Sequence, residues 1–67
     1  MKYFALFDKQ TKSYLLTGFN STSIEDLIDA FVDFEEDLDF SDMTNEEIIK
    51  YIQQDYIIVE ENKPIEG

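Results

Sequence analysis

Two short apolar runs open the chain, and a polar segment separates them. Residues 2–7 (KYFALF) and 13–19 (SYLLTGF) are largely aromatic and aliphatic, whereas residues 8–12 are polar. Apolar runs of this length on either side of a polar segment are typical of a β-hairpin. Because the polar segment lacks the Asn-Gly or Asp-Gly pair of a tight turn, we expect a connection of about four or five residues.

Both faces of the first predicted strand carry bulky apolar side chains. Successive residues of a strand point to opposite faces, so Tyr3 and Phe7 share one face while Phe4 and Leu6 share the other. A sheet that buries only one face does not need apolar residues at both parities. The pattern therefore predicts a second apolar face that is open to a partner or to another copy of the chain.

The apolar spacing changes to steps of three and four residues after Asn20, which predicts a helix. Thr22 and Glu25 have the spacing of a capping box, in which the hydroxyl and the carboxylate satisfy free amides at the helix start. The helix is predicted to reach residue 38. Its apolar residues fall on one stripe: Ile24, Leu27, Ile28, Phe31, Phe34 and Leu38.

A second capping box, Thr44 with Glu47, predicts a second helix that ends near Gln54. The residues that join the two helices are mostly polar and turn-forming, and the exceptions, Phe40 and Met43, are expected to plug the core. Three isoleucines of the second helix are predicted to face inward: Ile48, Ile49 and Ile52.

The predicted order is β-β-α-α-β, with a third strand at residues 56–59 (YIIV). We expect residues 1–60 to form a single small α+β domain, a three-stranded and mostly antiparallel sheet packed on a two-helix hairpin. If the helices run antiparallel, the third strand points the same way as the first. It then pairs with the second strand in an all-antiparallel sheet, or with the first in a mixed one. Residues 61–67, which include Pro64, are predicted to be a flexible tail.

The charge of the chain is concentrated in one segment. The 67 residues include 16 acids and five lysines, which gives a formal net charge of −11. No basic residue lies between Lys12 and Lys50, whereas residues 22–47 contain eleven carboxylates. We call this stretch the acidic segment. Its carboxylates are Glu25, Asp26, Asp29, Asp33, Glu35, Glu36, Asp37, Asp39, Asp42, Glu46 and Glu47.

The composition disfavours most catalytic chemistry. The chain has no His, Cys or Arg, so the usual general base, thiolate nucleophile and guanidinium clamp are missing. Paired carboxylates on the polar side of a short helix have no evident reason to differ in pKa, as acid and base catalysis requires. No nucleotide-binding or metalloprotease motif is present. We therefore predict a protein that is not an enzyme and has no cofactor.

The junction between the helices resembles an EF-hand loop only in part. Counted from Asp37, residues Asp39 and Ser41 occupy the third and fifth ligand positions. Asp42 then replaces the glycine of the sharp turn, and Ile48 replaces the bidentate glutamate. We interpret these residues as caps and turns and predict no metal site, with a weak, non-standard Ca²⁺ or Mg²⁺ site as the alternative.

Strong negative charge also limits the partners. Nucleic acids and anionic membranes are negative themselves, so direct binding to either is disfavoured. The sequence has no signal-peptide pattern and no apolar run long enough to span a bilayer, which favours a cytoplasmic location.

The leading hypothesis is that the carboxylates of the first helix bind a basic protein surface. A rigid row of carboxylates resembles the phosphates of one nucleic-acid strand, so the partner is expected to be a nucleic-acid-binding enzyme that the chain inhibits by mimicry. The partner-binding residues are predicted to be Glu25, Asp26, Asp29, Asp33, Glu36 and Asp37.

The alternative hypothesis is a homodimer or complex subunit that associates through the open sheet face or an edge strand, while the acids only keep the assembly in solution. The predicted interface is Tyr3, Phe7 and Tyr14, or their neighbours of opposite parity Phe4, Leu6 and Leu15.

Overall fold

A computed structural model describes all 67 residues as one α+β domain, as the sequence predicts. The strands form a single antiparallel sheet, and the helices pack on one of its faces. In chain order the elements are β1 (Tyr3–Asp8), β2 (Ser13–Tyr14), α1 (Ile24–Phe34), α2 (Asn45–Asp55) and β3 (Tyr56–Glu61).

The hairpin between β1 and β2 has the predicted four-residue connection, residues 9–12. The Asp8 carboxylate shapes this loop by accepting hydrogen bonds from the backbone N–H groups of Gln10 (2.8 Å) and Thr11 (3.3 Å). Lys12 completes the loop with a positive φ of 59°. The two strands then pair in the register Phe7 with Tyr14 and Asp8 with Ser13.

Strand β2 is much shorter than the predicted run to residue 19. Leu15 still donates its N–H to the Leu6 carbonyl at 2.8 Å, and the chain then turns away from the sheet. Gly18 stabilises this turn through a φ of +73°. The chain returns at Ser21, which exchanges two backbone hydrogen bonds with Phe4. The predicted second strand is therefore interrupted by a turn.

Strand β3 lies beside β1 and antiparallel to it, which gives the order β2-β1-β3. We expected β3 to point the same way as β1 if the helices ran antiparallel, and the observed pairing is neither of the two that this condition allowed. Tyr56 follows Asp55 with no connecting residue, so β3 begins directly where α2 ends. The strand also extends to Glu61, two residues beyond the predicted end at Val59.

Helix α1 begins one residue later than predicted and is capped by a different residue. The Ser23 hydroxyl, rather than that of Thr22, accepts the hydrogen bond from a first-turn amide, the N–H of Asp26, at 3.1 Å. The pairing of Ser21 with Phe4 keeps the preceding chain extended, so the first helical residue is Ile24.

Helix α1 ends at Phe34, one turn earlier than predicted. Glu35 donates its N–H to the Phe31 carbonyl and then leaves the helical conformation, with a ψ of 74°. Acidic residues at a helix C-terminus oppose the dipole, and the last turn contains no basic residue. Leu38 therefore lies in a turn outside the helix rather than on its apolar stripe.

Helix α2 has the predicted capping box. The Thr44 hydroxyl accepts from the Glu47 N–H (3.2 Å), and the Glu47 carboxylate accepts from the Thr44 N–H (3.1 Å). The core lies between the helices and the sheet, with Phe40 filling the position that was predicted for it. Its buried residues are Leu6, Leu27, Ile28, Phe31, Phe40, Ile48 and Ile52.

The C-terminal residues pack onto the domain. Ile65 is buried, and both of its backbone polar groups bind the Asn20 side chain: the amide nitrogen donates to the Ile65 carbonyl (3.1 Å), and Oδ1 accepts from the Ile65 N–H (2.7 Å). Residue 61 belongs to β3, and Ile65 has a defined packing position, so the predicted tail is partly structured. Its flexibility stays a prediction.

Candidate protein-interaction surface

The carboxylates of the acidic segment lie almost entirely in solvent. Ten of the eleven residues are exposed, and Glu35 is half-buried. None of them forms a salt bridge, because the one ion pair of the molecule joins Lys2 and Glu60 outside the segment, at 3.0 Å. The acidic segment therefore presents negative charge that no lysine of the chain neutralises at contact distance.

Helix α1 holds four of the six predicted partner-binding carboxylates on its outer side. Its inner side carries the buried residues Leu27, Ile28 and Phe31, which fix the rotation of the helix against the sheet. Residues three or four positions apart on a helix lie about 5–6 Å from one another. The exposed carboxylates at these spacings are Glu25, Asp26, Asp29 and Asp33.

The other two predicted residues, Glu36 and Asp37, do not continue this row. Helix α1 ends before them, and they lie in a turn that the Leu38 N–H closes on the Glu35 carbonyl at 3.4 Å. Their side chains are exposed. The predicted single row is thus two groups, one on a helix and one on the turn that follows it.

Two carboxylates further along the acidic segment have local structural roles. Asp39 accepts a hydrogen bond from the Ser41 N–H at 2.9 Å, and this bond, together with the Ser41 hydroxyl, holds the pKa of Asp39 below its ordinary value. Glu47 completes the capping box of α2. No group of three or more carboxylates comes together in a way that could hold a metal ion.

The sequence did not reveal two apolar side chains exposed among these acids. Phe34, the last residue of α1, is 47% exposed, and Leu38 is 42% exposed. Both were predicted to belong to the core-facing stripe, and that prediction was wrong. The early end of the helix explains the exposure of Leu38, which lies beyond it, and the excess of acids after Phe31 was the one sequence signal for that end.

The predicted sheet-face residues lie together on the face opposite the helices. Tyr3, Phe7 and Tyr14 are half-buried, and the rings of Phe7 and Tyr14 meet edge to face with their centroids 5.3 Å apart. Ile57 pairs with Phe7 from β3 and is 49% exposed. The other possible set, Phe4, Leu6 and Leu15, packs in or against the core instead.

The molecule has no surface pocket. None of its helices combines the length and the apolar character that crossing a membrane requires. No protein-family model matches the chain, and searches of curated proteins and of solved structures also return no match.

Proposed function

We propose that the chain is a non-enzymatic interaction module whose acidic segment binds a basic protein surface. The observation that carries the proposal is the set of exposed carboxylates on α1 and on the turn after it, which no basic side chain pairs. Opposite charges facing each other across an interface accelerate encounter and select the partner. A surface that carries only negative charge is suited to a partner with a positively charged surface.

The arrangement of the acids supports a role beyond solubility. Like charges at helical spacing destabilise a helix by a few tenths of a kcal/mol per pair, and Asp33 in the last turn opposes the helix dipole. Solubility is served equally well by mixed charges, which would also form stabilising pairs. Binding to a basic surface gives the unpaired carboxylates the partners that the fold does not provide.

The finer proposal is mimicry of nucleic acid. The carboxylates of α1 form a rigid row on one side of a helix, and those at Glu36 and Asp37 continue the negative surface past its end. A basic groove that binds phosphates by charge can accept such a row in their place. The chain would then inhibit a nucleic-acid-binding enzyme by competing for its groove.

The test is affinity capture from a bacterial lysate on three immobilised proteins. The first is the wild type, and the second is D26K/D29K/D33K, which reverses the row on α1. The third is the matched control D55K/E61K/E66K, which reverses the same number of exposed charges outside the acidic segment. We expect a basic protein on the wild type and the control, released by salt and absent from the second protein. A protein held equally by all three would contradict the proposal.

Competition tests mimicry separately. Duplex DNA and RNA are added to the captured complex at low ionic strength. Release in proportion to the added nucleic acid is expected for a shared groove, whereas retention of the complex at saturating nucleic acid would leave the binding proposal intact and exclude mimicry.

A second candidate function is self-association through the sheet face opposite the helices, which the chain itself covers only in part. The observation that favours it is the apolar row Tyr14, Phe7 and Ile57, which crosses all three strands and remains partly exposed. Sedimentation equilibrium of the purified chain tests it at high salt, where repulsion between two negative copies is screened. A dimer that dissociates on the substitution F7S supports this candidate, and a monomer at all concentrations refutes it.

A further inference from the structure

Phe34 and Leu38 are two exposed apolar residues inside the acidic segment. They stand on either side of the turn that ends α1, and each exposes more than two fifths of its side chain. Acidic residues surround them in the sequence, at Glu35, Glu36, Asp37 and Asp39. The other strongly exposed apolar residues, Met1, Leu16 and Ile57, lie outside the acidic segment.

The core does not require these two side chains. Phe31 already packs edge to face on Phe40, and both rings contact Tyr51, with centroid separations of 6.1, 6.2 and 5.7 Å. These three aromatic residues pack together in the core between α1, the segment that joins the helices, and α2. Phe34 and Leu38 lie outside that group, so their exposure is available to a partner.

We propose that Phe34 and Leu38 are the apolar anchors of the interface, and that the partner presents an apolar socket bordered by lysine or arginine. This inference deepens the proposed function and rests on it. Charge complementarity indicates the chemistry of the partner. Four carboxylates lie next to the anchors in the sequence, so an apolar surface that covers the anchors needs basic groups around it. Apolar residues at the centre with charged residues at the rim is the usual anatomy of a binding hot spot.

The test uses two synthetic helical peptides of equal positive charge. One alternates lysine with leucine so that it has an apolar face, and the other has glutamine in place of every leucine. Affinities for both are measured by fluorescence anisotropy. We expect the wild type to bind the lysine–leucine peptide about tenfold more tightly than the lysine–glutamine peptide, because only the first buries the anchors.

The variant F34A/L38A is expected to lose this preference and to retain the affinity for the lysine–glutamine peptide. The matched control L16A truncates another exposed apolar residue, which lies outside both candidate surfaces, and is expected to keep the preference. The single variant L38A, whose residue lies outside every helix and strand, is expected to reduce the preference in part even if the double variant unfolds.

The outcomes distinguish a failure of the anchor proposal from a failure of the proposed function. Equal binding of the two peptides by the wild type, or a preference that survives in folded F34A/L38A, refutes the anchors alone. No binding of either peptide by the wild type at low ionic strength refutes the binding of basic surfaces, and the anchors with it.

Discussion

At the scale of single residues, Gly18 allows the loop after β2 to pack closely on α1. A Cβ at this position would lie 2.9 Å from Leu27 Cδ1, and the φ of +73° disfavours any other residue. We expect G18A to lower the free energy of unfolding by about 1–3 kcal/mol, as measured by urea denaturation. The control is G67A, whose Cβ would make ordinary contacts and which is expected to have little effect. Equal stability of the two variants would contradict this role.

Asn20 has a similar role for the C-terminal residues. Its side chain binds both backbone polar groups of Ile65, and its own φ of 60° suits asparagine better than alanine. We expect N20A to destabilise the protein by about 1–3 kcal/mol and to speed hydrogen exchange at the Ile65 amide.

The variant N20G separates the two effects at this position, because glycine tolerates the conformation but cannot form the hydrogen bonds. It should restore part of the stability and none of the protection at Ile65. Full protection of that amide in N20G would show that the side chain does not hold the tail.

Because of Tyr56, we expect the free energy of unfolding to depend on pH in the alkaline range. Burial, followed by the negative charge of Asp8, raises the pKa of its hydroxyl above the ordinary value. A raised pKa of an acid in the folded state contributes stability below the unfolded pKa of about 10, and this contribution is lost as the pH rises through the folded pKa. We expect Y56F to reduce the fall in stability above that pH, as followed by urea unfolding at several pH values. An unchanged slope would contradict the assignment.

At the scale of elements, the excess of acids limits helix α1. Asp33 lies in the last turn, where a negative charge is unfavourable, and a lysine there would also follow Asp29 by four residues. We expect D33K to raise the free energy of unfolding by about 0.5–1 kcal/mol at low salt. The comparison is D26K, which changes the net charge equally but places a positive charge in the first turn. A gain from D26K equal to that from D33K would show that net charge alone is responsible.

The elements could largely be predicted from local signals, whereas their ends and mutual arrangement could not. The capping box at Thr44 and the spacing of Leu27, Ile28 and Phe31 depend on neighbouring residues, so they are readable in the sequence. The early end of α1 follows from the acids near its C-terminus, whose unfavourable interaction with the helix dipole is too small to locate the last helical residue in advance. The direction of β3 depends on a helix that continues directly into a strand.

The exposed carboxylates of the candidate surface could be predicted, whereas its exposed apolar residues could not. The exposure of Asp26, Asp29 and Asp33 follows from helical periodicity, and the structure agrees with it. The exposure of Phe34 and Leu38 could not be predicted, because apolar residues at helical spacing normally face the core. The packing of Ile65 depends on a contact with Asn20, which is far away in the sequence.

At the scale of the whole molecule, the excess negative charge lies in one segment of the chain. The formal charge of −11 arises from the acidic segment, while the five acids outside it are balanced in number by the five lysines. The proposed function depends on the position of these charges and not on their sum. A general coat that keeps the protein in solution would depend only on the sum.

The most direct measurement of this difference is the affinity for a fluorescent peptide of about twelve lysines, compared between D26K/D29K/D33K and D55K/E61K/E66K across a range of salt. The two variants have the same formal net charge. We expect the first to bind much more weakly than the second at low salt, and the second to remain close to the wild type. Equal affinities of the two variants at every salt concentration would contradict the account, because the acidic segment would then act only through net charge.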